Sequence, residues 1–213
     1  MSDELETYIL GHIDEESALL ASMNRDAHVN LLRPRMIAGH LQGRLLKMLC
    51  RMVCPSRVLE IGTFTSYSTL CIAEGLADDA IIHSVEINDE MQPFVNKYLE
   101  QSPDKEKIRI HWGDVAEVLP SLNETFDMVY IDGDKRDYCA YYELVFPYVR
   151  DGGFILADNT LWSGKILDGE IPSADRHTQG ILDFNELIKN DIRTEKVILP
   201  LRDGLTVIYK KNE

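Results

Sequence analysis

Long apolar runs and paired cysteines are both missing from this sequence of 213 residues. No apolar stretch approaches the ~18 residues that a membrane-spanning helix needs. The acidic start MSDELETYIL lacks the basic and apolar regions of a signal peptide. The four cysteines show no CxxC spacing and are interpreted as small buried side chains in a reducing compartment. These absences predict a cytoplasmic protein with no membrane partner.

Positive charge is also in deficit, because 36 acidic residues outnumber 22 lysines and arginines and give a net charge of −14. A nucleic-acid partner normally requires a basic patch that neutralises phosphates. The arginines of the N-terminal part, among them Arg33, Arg35 and Arg44, are scattered. The charge therefore disfavours a nucleic-acid partner but leaves room for a local basic patch.

Repeats, low-complexity segments and Gly/Ser-rich linkers are absent as well, so the length predicts a single domain over residues 1–213. Apolar residues at helical spacing predict N-terminal helices within residues 1–53, with Pro34 at the start of a long helix. In the rest, residues 54–213, short apolar strands alternate with helical segments. This order is typical of a parallel sheet with helices on both faces.

The second part predicts five parallel strands followed by an antiparallel hairpin, in which EKVILPL and GLTVIYK flank Arg202 and Asp203. The parallel strands are VLEI (58–61), IIHSVE (81–86), IRIHW (108–112), FDMVYID (126–132) and GFILAD (153–158). The predicted fold is therefore α/β: a doubly wound, seven-stranded, mostly parallel sheet of Rossmann-like type, with a C-terminal antiparallel hairpin and N-terminal helices.

Each predicted parallel strand ends at or beside an acidic residue. These residues are Glu60, Glu86, Asp114, Asp132 with Asp134, and Asp158. Ligands of such sheets bind outside the carboxyl ends of the strands, where these carboxylates form one acidic rim. A single carboxylate there commonly caps the next helix, but five in succession exceed what capping explains. The rim repels a pyrophosphate or a triphosphate and suits a cationic ligand with hydroxyl groups, or a divalent cation.

The loop LEIGTFTSYST (59–69) has few glycines for a nucleotide-binding turn. In GxGxxG the second glycine lets the backbone approach a pyrophosphate, and Phe64 occupies that position here. S-adenosylmethionine fits both the loop and the rim, because it carries an ammonium, a sulfonium and a ribose diol but no phosphate. Glu86, at the next strand end, is placed to accept the ribose hydroxyls. The sequence therefore predicts a methyl-donor site.

Several segments together resemble the cation-dependent O-methyltransferases, which include the catechol and caffeoyl-CoA O-methyltransferases and many bacterial relatives. The segments are LEIGTFTSYS, HSVEIN, GD at 113–114, VYIDGDKRDY and LADNTLWSGK. The similarity extends from about Arg33 to the C-terminus, and IDGDK together with ADNTLW makes it specific. It implies a bacterial-type member with a class I methyltransferase fold that forms a homodimer.

The resemblance implies that Asp132, Asp158 and Asn159 bind a metal ion and that Lys135 is the general base, so Lys135 and Asp132 are assigned catalytic roles. Oxygen ligands without sulfur or imidazole favour Mg²⁺, Mn²⁺ or Ca²⁺ over zinc, and Mg²⁺ is the ion we expect. Such an ion is expected to act as a Lewis acid and to orient an acceptor with two neighbouring oxygens. Lys135 is alternatively a solvated surface charge.

The resemblance also implies which residues contact the cofactor and the acceptor. The cofactor residues are Met36, Glu60, Gly62, Thr63, Ser68, Glu86, Asp114, Val115, Asp132 and Asp134. Trp162 and Ser163 are the candidate acceptor contacts, and Trp162 is alternatively a packing residue. Acceptor specificity is expected in residues 4–30 and in the polar segment 164–180.

Two positions depart from the family pattern. Many relatives have glycine where Ser66 stands, so either the loop avoids positive φ there or Ser66 tolerates it. Plant caffeoyl-CoA enzymes carry a substrate-contacting asparagine where this chain has Ser163. The second departure counts against caffeoyl-CoA as the substrate and leaves the chemistry unchanged.

The leading hypothesis is a metal-dependent transfer of a methyl group from S-adenosylmethionine to a hydroxyl of a small catechol-like acceptor. One alternative keeps the chemistry but takes a hydroxyl on a modified uridine of tRNA as the acceptor, and the acidic charge argues against it. The other is a non-catalytic protein that binds S-adenosylmethionine, and the complete set of site residues argues against that.

Overall fold

The computed structural model describes residues 3–212, so Met1, Ser2 and Glu213, the outermost residues of the predicted domain, lie outside it. The helices in the described range are α1 (Asp3–Leu10), α2 (Ala18–Asn30), α3 (Gly39–Val53), α4 (Tyr67–Ala73), α5 (Gln92–Leu99), α6 (Val115–Leu122), α7 (Tyr138–Val145) and α8 (Arg176–Asn190). The strands there are β1 (Arg57–Ile61), β2 (Ile81–Glu86), β3 (Ile108–Trp112), β4 (Phe126–Ile131), β5 (Val149–Asp158), β6 (Thr194–Leu199) and β7 (Leu205–Lys210).

The seven strands form one sheet in the order β3-β2-β1-β4-β5-β7-β6. Strands β1 to β5 pair in parallel, whereas β7 pairs antiparallel with both β5 and β6. This confirms the predicted α/β fold and its C-terminal hairpin. The strand order reverses between β1 and β4, which makes this pair of carboxyl ends the topological switch point, where ligands of such sheets bind.

Both faces of the sheet are buried, and successive residues of one strand serve different cores. In β1, Val58 packs into the core beneath α2, α3 and α4, while Leu59 packs into the core beneath α7 and α8. Strands covered on both sides read as nearly continuous apolar runs, which is why they stand out in the sequence. Each buried aliphatic side chain contributes roughly 1.5–3 kcal/mol to folding. No helix in the described part of the chain is long and apolar enough to cross a membrane.

Two helical predictions need correction. Pro34 starts only a short 3-10 turn, Pro34–Met36, and α3 begins at Gly39, whose φ of +76° interrupts the helical path. Helix α8 is missing from the sequence prediction, which treats residues 164–180 as a loop. The Asp175 side chain caps α8 by accepting a hydrogen bond from the Thr178 amide at 3.2 Å. The helix buries three apolar residues at helical spacing: Ile181, Phe184 and Ile188.

Helix α8 contacts the turn after β4 through Gly180, which lies directly against the backbone of Lys135. A Cβ atom at Gly180 would lie 2.3 Å from the Lys135 carbonyl oxygen and 3.0 Å from the Arg136 Cα atom. Only a residue without a side chain permits this approach. The contact makes α8 a support for the turn that carries Lys135.

Gly180→Ala is therefore expected to lower the free energy of unfolding by about 1–3 kcal/mol, since neither backbone can move without repacking the core. Urea unfolding followed by circular dichroism measures this change. Gly169→Ala is the matched control, because a Cβ atom there meets nothing within 4 Å. Equal stability of the two variants would contradict the tight contact.

Candidate active site

The single glycine of the first loop is required by the meeting of β1 and β4. Its backbone has a φ of +97°, and a Cβ atom on Gly62 would lie 2.3 Å from the Asp132 carbonyl oxygen. The Asp132 amide donates to the Ile61 carbonyl at 2.9 Å, and the Gly62 amide donates to the Val85 carbonyl at 2.9 Å. Gly62 thus holds the loop after β1 against Asp132, so these two predicted site residues are in contact.

Ser66 adopts the left-handed conformation that glycine would take with less strain. Its φ is +65° and its ψ is +17°, and its hydroxyl donates to the Thr65 carbonyl at 2.5 Å. Phe64 in the same loop has a φ of +45°. Of the two alternatives for Ser66, tolerance of positive φ is the one that the structure shows. Each such non-glycine residue costs about 1–2 kcal/mol, and strain of this kind collects at functional loops.

Glu60 lies fully buried at the end of β1. Its Oε2 atom accepts hydrogen bonds from the Thr69 and Ser84 hydroxyls, each at 2.5 Å, while Oε1 is buried without a partner among the described residues. Burial raises the pKa of the Glu60 carboxyl to about 7, although hydrogen bonds from Ser68, Ser84 and Thr69 act in the opposite direction. A buried acceptor atom with no donor fits a cationic group such as the ammonium of S-adenosylmethionine.

The raised pKa of Glu60 predicts how the stability of the ligand-free protein changes with pH. An unfolded glutamate loses its proton near pH 4.3, whereas Glu60 in the folded chain holds it until about pH 7. Between these values the unfolded chain binds fewer protons, so this group makes stability fall as pH rises. The loss over the window is roughly 3–4 kcal/mol.

Glu60→Gln is expected to remove this contribution. Urea unfolding of both proteins at pH 5, 6, 7 and 8 measures it as a difference, which cancels the titration of all other groups. The stability of the variant relative to the parent should rise from pH 5 to pH 7 and then level off. A difference that is constant with pH would contradict a buried, protonated Glu60.

Glu86 and Thr63 are tied to the same loop. The Glu86 carboxylate accepts from the Phe64 amide at 2.6 Å and from the Asn88 amide at 2.9 Å. The Thr63 hydroxyl lies 2.6 Å from that of Ser84. Together with Ser68, which hydrogen-bonds to Glu60, these side chains form one network at the ends of β1 and β2. The structure thus brings Glu60, Gly62, Thr63, Ser68 and Glu86 together.

The remaining predicted cofactor residues lie at the edges of this network. Asp114 caps α6 by accepting from the Ala116 amide at 2.8 Å, and Val115 is buried in the core behind it. Asp134 caps the next turn and pairs with Arg136, whose hydrogen bonds lower the pKa of Asp134 to about 2. Capping therefore accounts for part of the acidic rim. Met36 is 54% exposed on its 3-10 turn.

Asp132 and Asp158 lie side by side at the carboxyl ends of two neighbouring strands. The residues just before them, Ile131 of β4 and Ala157 of β5, are paired in the sheet. Burial raises the pKa of the Asp132 carboxyl, the positive charge of Lys135 opposes this, and the negative charge of Asp158 adds to it. Two carboxylates this close favour a bound cation.

Asp158 is held by two side chains from distant parts of the chain. Its Oδ2 atom accepts from Gln42 Nε2 at 2.6 Å and from the Tyr130 hydroxyl at 3.0 Å. Its Oδ1 atom accepts from the Asn159 amide at 2.7 Å. Gln42 is only 1% exposed, so Asp158 has one fixed orientation.

Lys135 is 8% exposed, which rules out the alternative of a solvated surface charge. Its Nζ atom donates to Asp132 Oδ1 and to the Tyr138 hydroxyl, both at 2.7 Å. The Tyr138 hydroxyl donates in turn to the Asp158 carbonyl at 2.9 Å. This chain of contacts joins the predicted base to both predicted metal-binding aspartates.

Gln42 and Tyr138 are site residues that the sequence interpretation missed. The Tyr138 ring is fully buried in the core, and its hydroxyl belongs to the site. Gln42 has no sequence signal, since one glutamine in an amphipathic helix reads as a surface residue. It reaches Asp158 across 116 residues of sequence.

The donor set fits a hard divalent cation. No group of three or more histidine, cysteine, aspartate or glutamate side chains suited to a metal occurs among residues 3–212, and Asn159 stays the predicted third ligand. Asn159 follows Asp158 directly and has a φ of +58°, a left-handed conformation that asparagine tolerates better than most residues. Two carboxylates and an amide oxygen suit Mg²⁺, Mn²⁺ or Ca²⁺.

The segment after Asn159 is held by the turn between β6 and β7. The Leu161 and Trp162 amides both donate to the Asp203 carbonyl, at 2.7 and 3.1 Å, and the Ser163 hydroxyl donates to Asp203 Oδ1 at 2.9 Å. Trp162 packs against the core beneath α7 and α8, and its ring is stacked with that of His177 at 6.4 Å. Packing is therefore one role of Trp162, and contact of Trp162 and Ser163 with an acceptor stays a prediction.

The fold and the site together define a class I methyltransferase. A solved structure of the O-methyltransferase from Bacillus cereus in complex with SAH matches the chain with a TM-score of 0.89 at 26% identity, covering 98% of this chain and 97% of that chain. Glu60 and Asp132 lie at the switch point of this sheet, which is where such a fold binds its ligands.

The chain belongs to the O-methyltransferase family, whose profile matches residues 11–211. Caffeoyl-CoA O-methyltransferase 5 of Nicotiana tabacum is 31% identical over 176 residues, which cover 78% of this chain and 73% of the relative. The catechol O-methyltransferase of Niastella koreensis is 29% identical over 197 residues, which cover 91% of this chain and 86% of the relative. The resemblance inferred from the sequence motifs is thereby confirmed.

Proposed function

We propose that this protein transfers a methyl group from S-adenosylmethionine to a hydroxyl of a small aromatic vicinal diol. The reaction uses a divalent cation bound at the site, and we expect this cation to be Mg²⁺. The observation that carries the proposal is the buried Lys135, whose Nζ atom lies 2.7 Å from Asp132 Oδ1 at the switch point of the sheet. A base next to two cation-binding carboxylates suits the deprotonation of a chelating hydroxyl.

The cation is proposed to be held by Asp132, Asp158 and Asn159. When bound, it supplies a Lewis acid that makes a coordinated hydroxyl more acidic. Gln42 and Tyr130 fix the orientation of the Asp158 carboxylate by hydrogen bonds, so that little rotamer entropy is lost on binding. Asp132 serves both the cation and Lys135, which ties the position of the base to that of the acceptor.

Lys135 in its neutral form accepts the proton of the acceptor hydroxyl. The resulting ammonium is stabilised by the Asp132 carboxylate and by the Tyr138 hydroxyl, both already within 2.7 Å of Nζ. The Tyr138 hydroxyl passes its own hydrogen bond to the Asp158 carbonyl, so its buried O–H group stays paired throughout. The deprotonated oxygen is then the nucleophile, and its position relative to the methyl group sets the rate.

S-adenosylmethionine supplies the activated methyl group on its sulfonium. The partnerless Oε1 atom of Glu60 supports binding of the methionine ammonium, and Glu86 supports binding of the ribose. The Bacillus cereus O-methyltransferase was solved in complex with SAH, the product form of this cofactor. Asp114, Val115 and Asp134 are proposed for the adenine end and Met36 for the methionine end.

The acceptor class is supported by the relatives, whose names refer to catechol and to caffeoyl-CoA. The small diol is favoured here, since Ser163 replaces the asparagine of the plant enzymes and its hydroxyl is engaged by Asp203. The homodimer and the cytoplasmic location inferred from the sequence stay predictions.

A screen of acceptors with methyl-labelled S-adenosylmethionine tests the proposal. Diols with a 3,4-dihydroxyphenyl group should be methylated with Mg²⁺ and not with EDTA, and the matching monophenols should not react. Methylation of bulk tRNA but of no diol would move the function to a nucleic-acid acceptor. Binding of S-adenosylmethionine without turnover of any acceptor would identify a non-catalytic binding protein.

A further inference from the structure

The turn between β6 and β7 lies directly against the loop that follows β5. The Thr160 amide donates to the Gly204 carbonyl at 3.1 Å, and the Asp203 carbonyl accepts from the Leu161 amide at 2.7 Å. A Cβ atom on Gly204 would meet the Leu161 amide nitrogen at 2.6 Å. The turn is therefore held in a fixed position beside the loop that follows Asp158 and Asn159.

Arg202 projects from this turn towards the start of α3. Its Nη1 atom donates to the Ile37 carbonyl at 3.0 Å and would lie 3.5 Å from a Cβ atom on Gly39. One helical turn further along α3, about 5 Å away, stands Gln42, whose Nε2 atom is 2.6 Å from Asp158 Oδ2. Arg202 thus contacts the chain at the start of α3, about one helical turn before the residue that holds a proposed metal ligand.

The charge of Arg202 has no acidic partner among the ion pairs of the described residues. An arginine offers five N–H donors, and only one of them is used here, by Ile37. The residue is exposed, so its other donors can meet a ligand.

The backbone at Arg202 is strained in a way that its side chain does not explain. Its φ is +47°, in the region where glycine or asparagine is the favoured residue of a tight turn. An arginine there costs about 1–2 kcal/mol relative to an unstrained residue. Strain of this kind is retained where the side chain has a use.

We propose that Arg202 binds a carboxylate carried by the methyl acceptor, so that the preferred acceptors are catechols with an acidic substituent. The proposal rests on the function proposed above and names the substrate class of that same site. A guanidinium and a carboxylate form two parallel hydrogen bonds, which recognise both charge and shape. The acceptor would then be held at its diol by the cation site and at its carboxylate by Arg202.

The test compares 3,4-dihydroxybenzoate with 3,4-dihydroxybenzyl alcohol, which has the same ring and no charge. The parent protein should show a kcat/KM at least tenfold higher for the benzoate. Arg202→Met should lower kcat/KM for the benzoate by 10- to 100-fold, mainly through KM, and change the value for the alcohol less than threefold. Arg202→Lys should have a kcat/KM for the benzoate between those of the parent and Arg202→Met, because lysine keeps the positive charge but cannot form the two parallel hydrogen bonds of a guanidinium. Arg109→Met, an exposed arginine on β3, is the matched control.

Three outcomes would overturn the proposal. One is an equal loss of kcat/KM for both acceptors in Arg202→Met, and another is a higher kcat/KM of the parent protein for the alcohol than for the benzoate. The third is a weaker affinity of Arg202→Met for S-adenosylmethionine, since the recognised carboxylate would then be that of the cofactor. If the parent methylates neither diol, the proposed function fails, and calorimetric binding of the benzoate still decides about Arg202. Binding that the methionine variant loses would support the proposal, and binding unaffected by the substitution would refute it.

Discussion

Lys135→Met is expected to lower kcat for methyl transfer by about 10²–10⁴-fold, the range that a positioned general base contributes. Methionine fills most of the buried space of the lysine stem but accepts no proton. The affinity for S-adenosylmethionine should change less than threefold, since the Lys135 side chain makes no direct hydrogen bond to Glu60 or Glu86 in the described part of the chain. Single-turnover kinetics with a 3,4-dihydroxyphenyl acceptor and calorimetric binding of the cofactor measure the two quantities.

Lys189→Met is the control for this substitution, because Lys189 is an exposed lysine on α8 that pairs only with its neighbour Glu186. It should keep the kcat of the parent. The pH–rate profile adds a second readout, since the residual activity of Lys135→Met should rise with pH as hydroxide replaces the missing base. A Lys135→Met protein with the kcat of the parent would exclude Lys135 as the base.

Asp158→Asn should weaken the binding of a divalent cation more than 100-fold and reduce methyl transfer in proportion. The substitution keeps the shape of the side chain and removes the charge that the cation needs. Gln42→Leu, which leaves the aspartate in place, should weaken cation binding by about 10- to 100-fold, the usual effect of losing a group that orients a metal ligand. Binding of Mn²⁺ followed by electron paramagnetic resonance measures both without any turnover.

A larger loss of cation binding in Asp158→Asn than in Gln42→Leu, with cofactor binding unchanged, distinguishes a metal site from a cluster that is only structural. Both variants should bind S-adenosylmethionine within threefold of the parent, because Glu60 and Glu86 lie on other strands. Gln101→Leu provides the control for a glutamine substitution, since its side chain is exposed and contacts only the Lys97 carbonyl. Cation binding that is unchanged in Asp158→Asn would remove Asp158 from the proposed ligands.

The sheet and the contents of its rim could be predicted because both depend on short segments. Strands buried on both faces read as apolar runs, and the carboxyl ends of parallel strands meet at one edge. Asp132 and Asp158 are therefore neighbours in space once their strands are identified. Helix α8 escaped prediction because its first turn, Arg176 to Gln179, continues a polar segment and only later residues are apolar.

The parts that could not be predicted come from distant elements. Gln42 meets Asp158 from a helix 116 residues earlier, and Arg202 meets Ile37 from a turn 165 residues later. No local pattern encodes such pairs, because tertiary packing alone decides which face of α3 is turned towards β5. The double role of Tyr138 has the same origin, since its ring packs in the core as the apolar pattern of α7 predicts, while its hydroxyl bonds to Lys135 and Asp158 of the site.

The loop between β1 and α4 shows how one glycine is enough. Gly62 is fixed by its contact with the Asp132 carbonyl, which no side chain permits. The other positive-φ positions, Phe64 and Ser66, accept strain instead. A ligand without phosphates does not require the backbone to approach more closely, so the missing glycines agree with the proposed cofactor.

The most direct test of the proposed function is methyl transfer by protein stripped of divalent cations and then titrated with Mg²⁺. With labelled S-adenosylmethionine and a 3,4-dihydroxyphenyl acceptor, we expect no product after EDTA treatment and a saturable recovery of activity as Mg²⁺ is added. Asp158→Asn should show no recovery over the same range. Full activity of the stripped protein, or equal recovery in Asp158→Asn, would contradict a cation-dependent reaction at Asp132, Asp158 and Asn159.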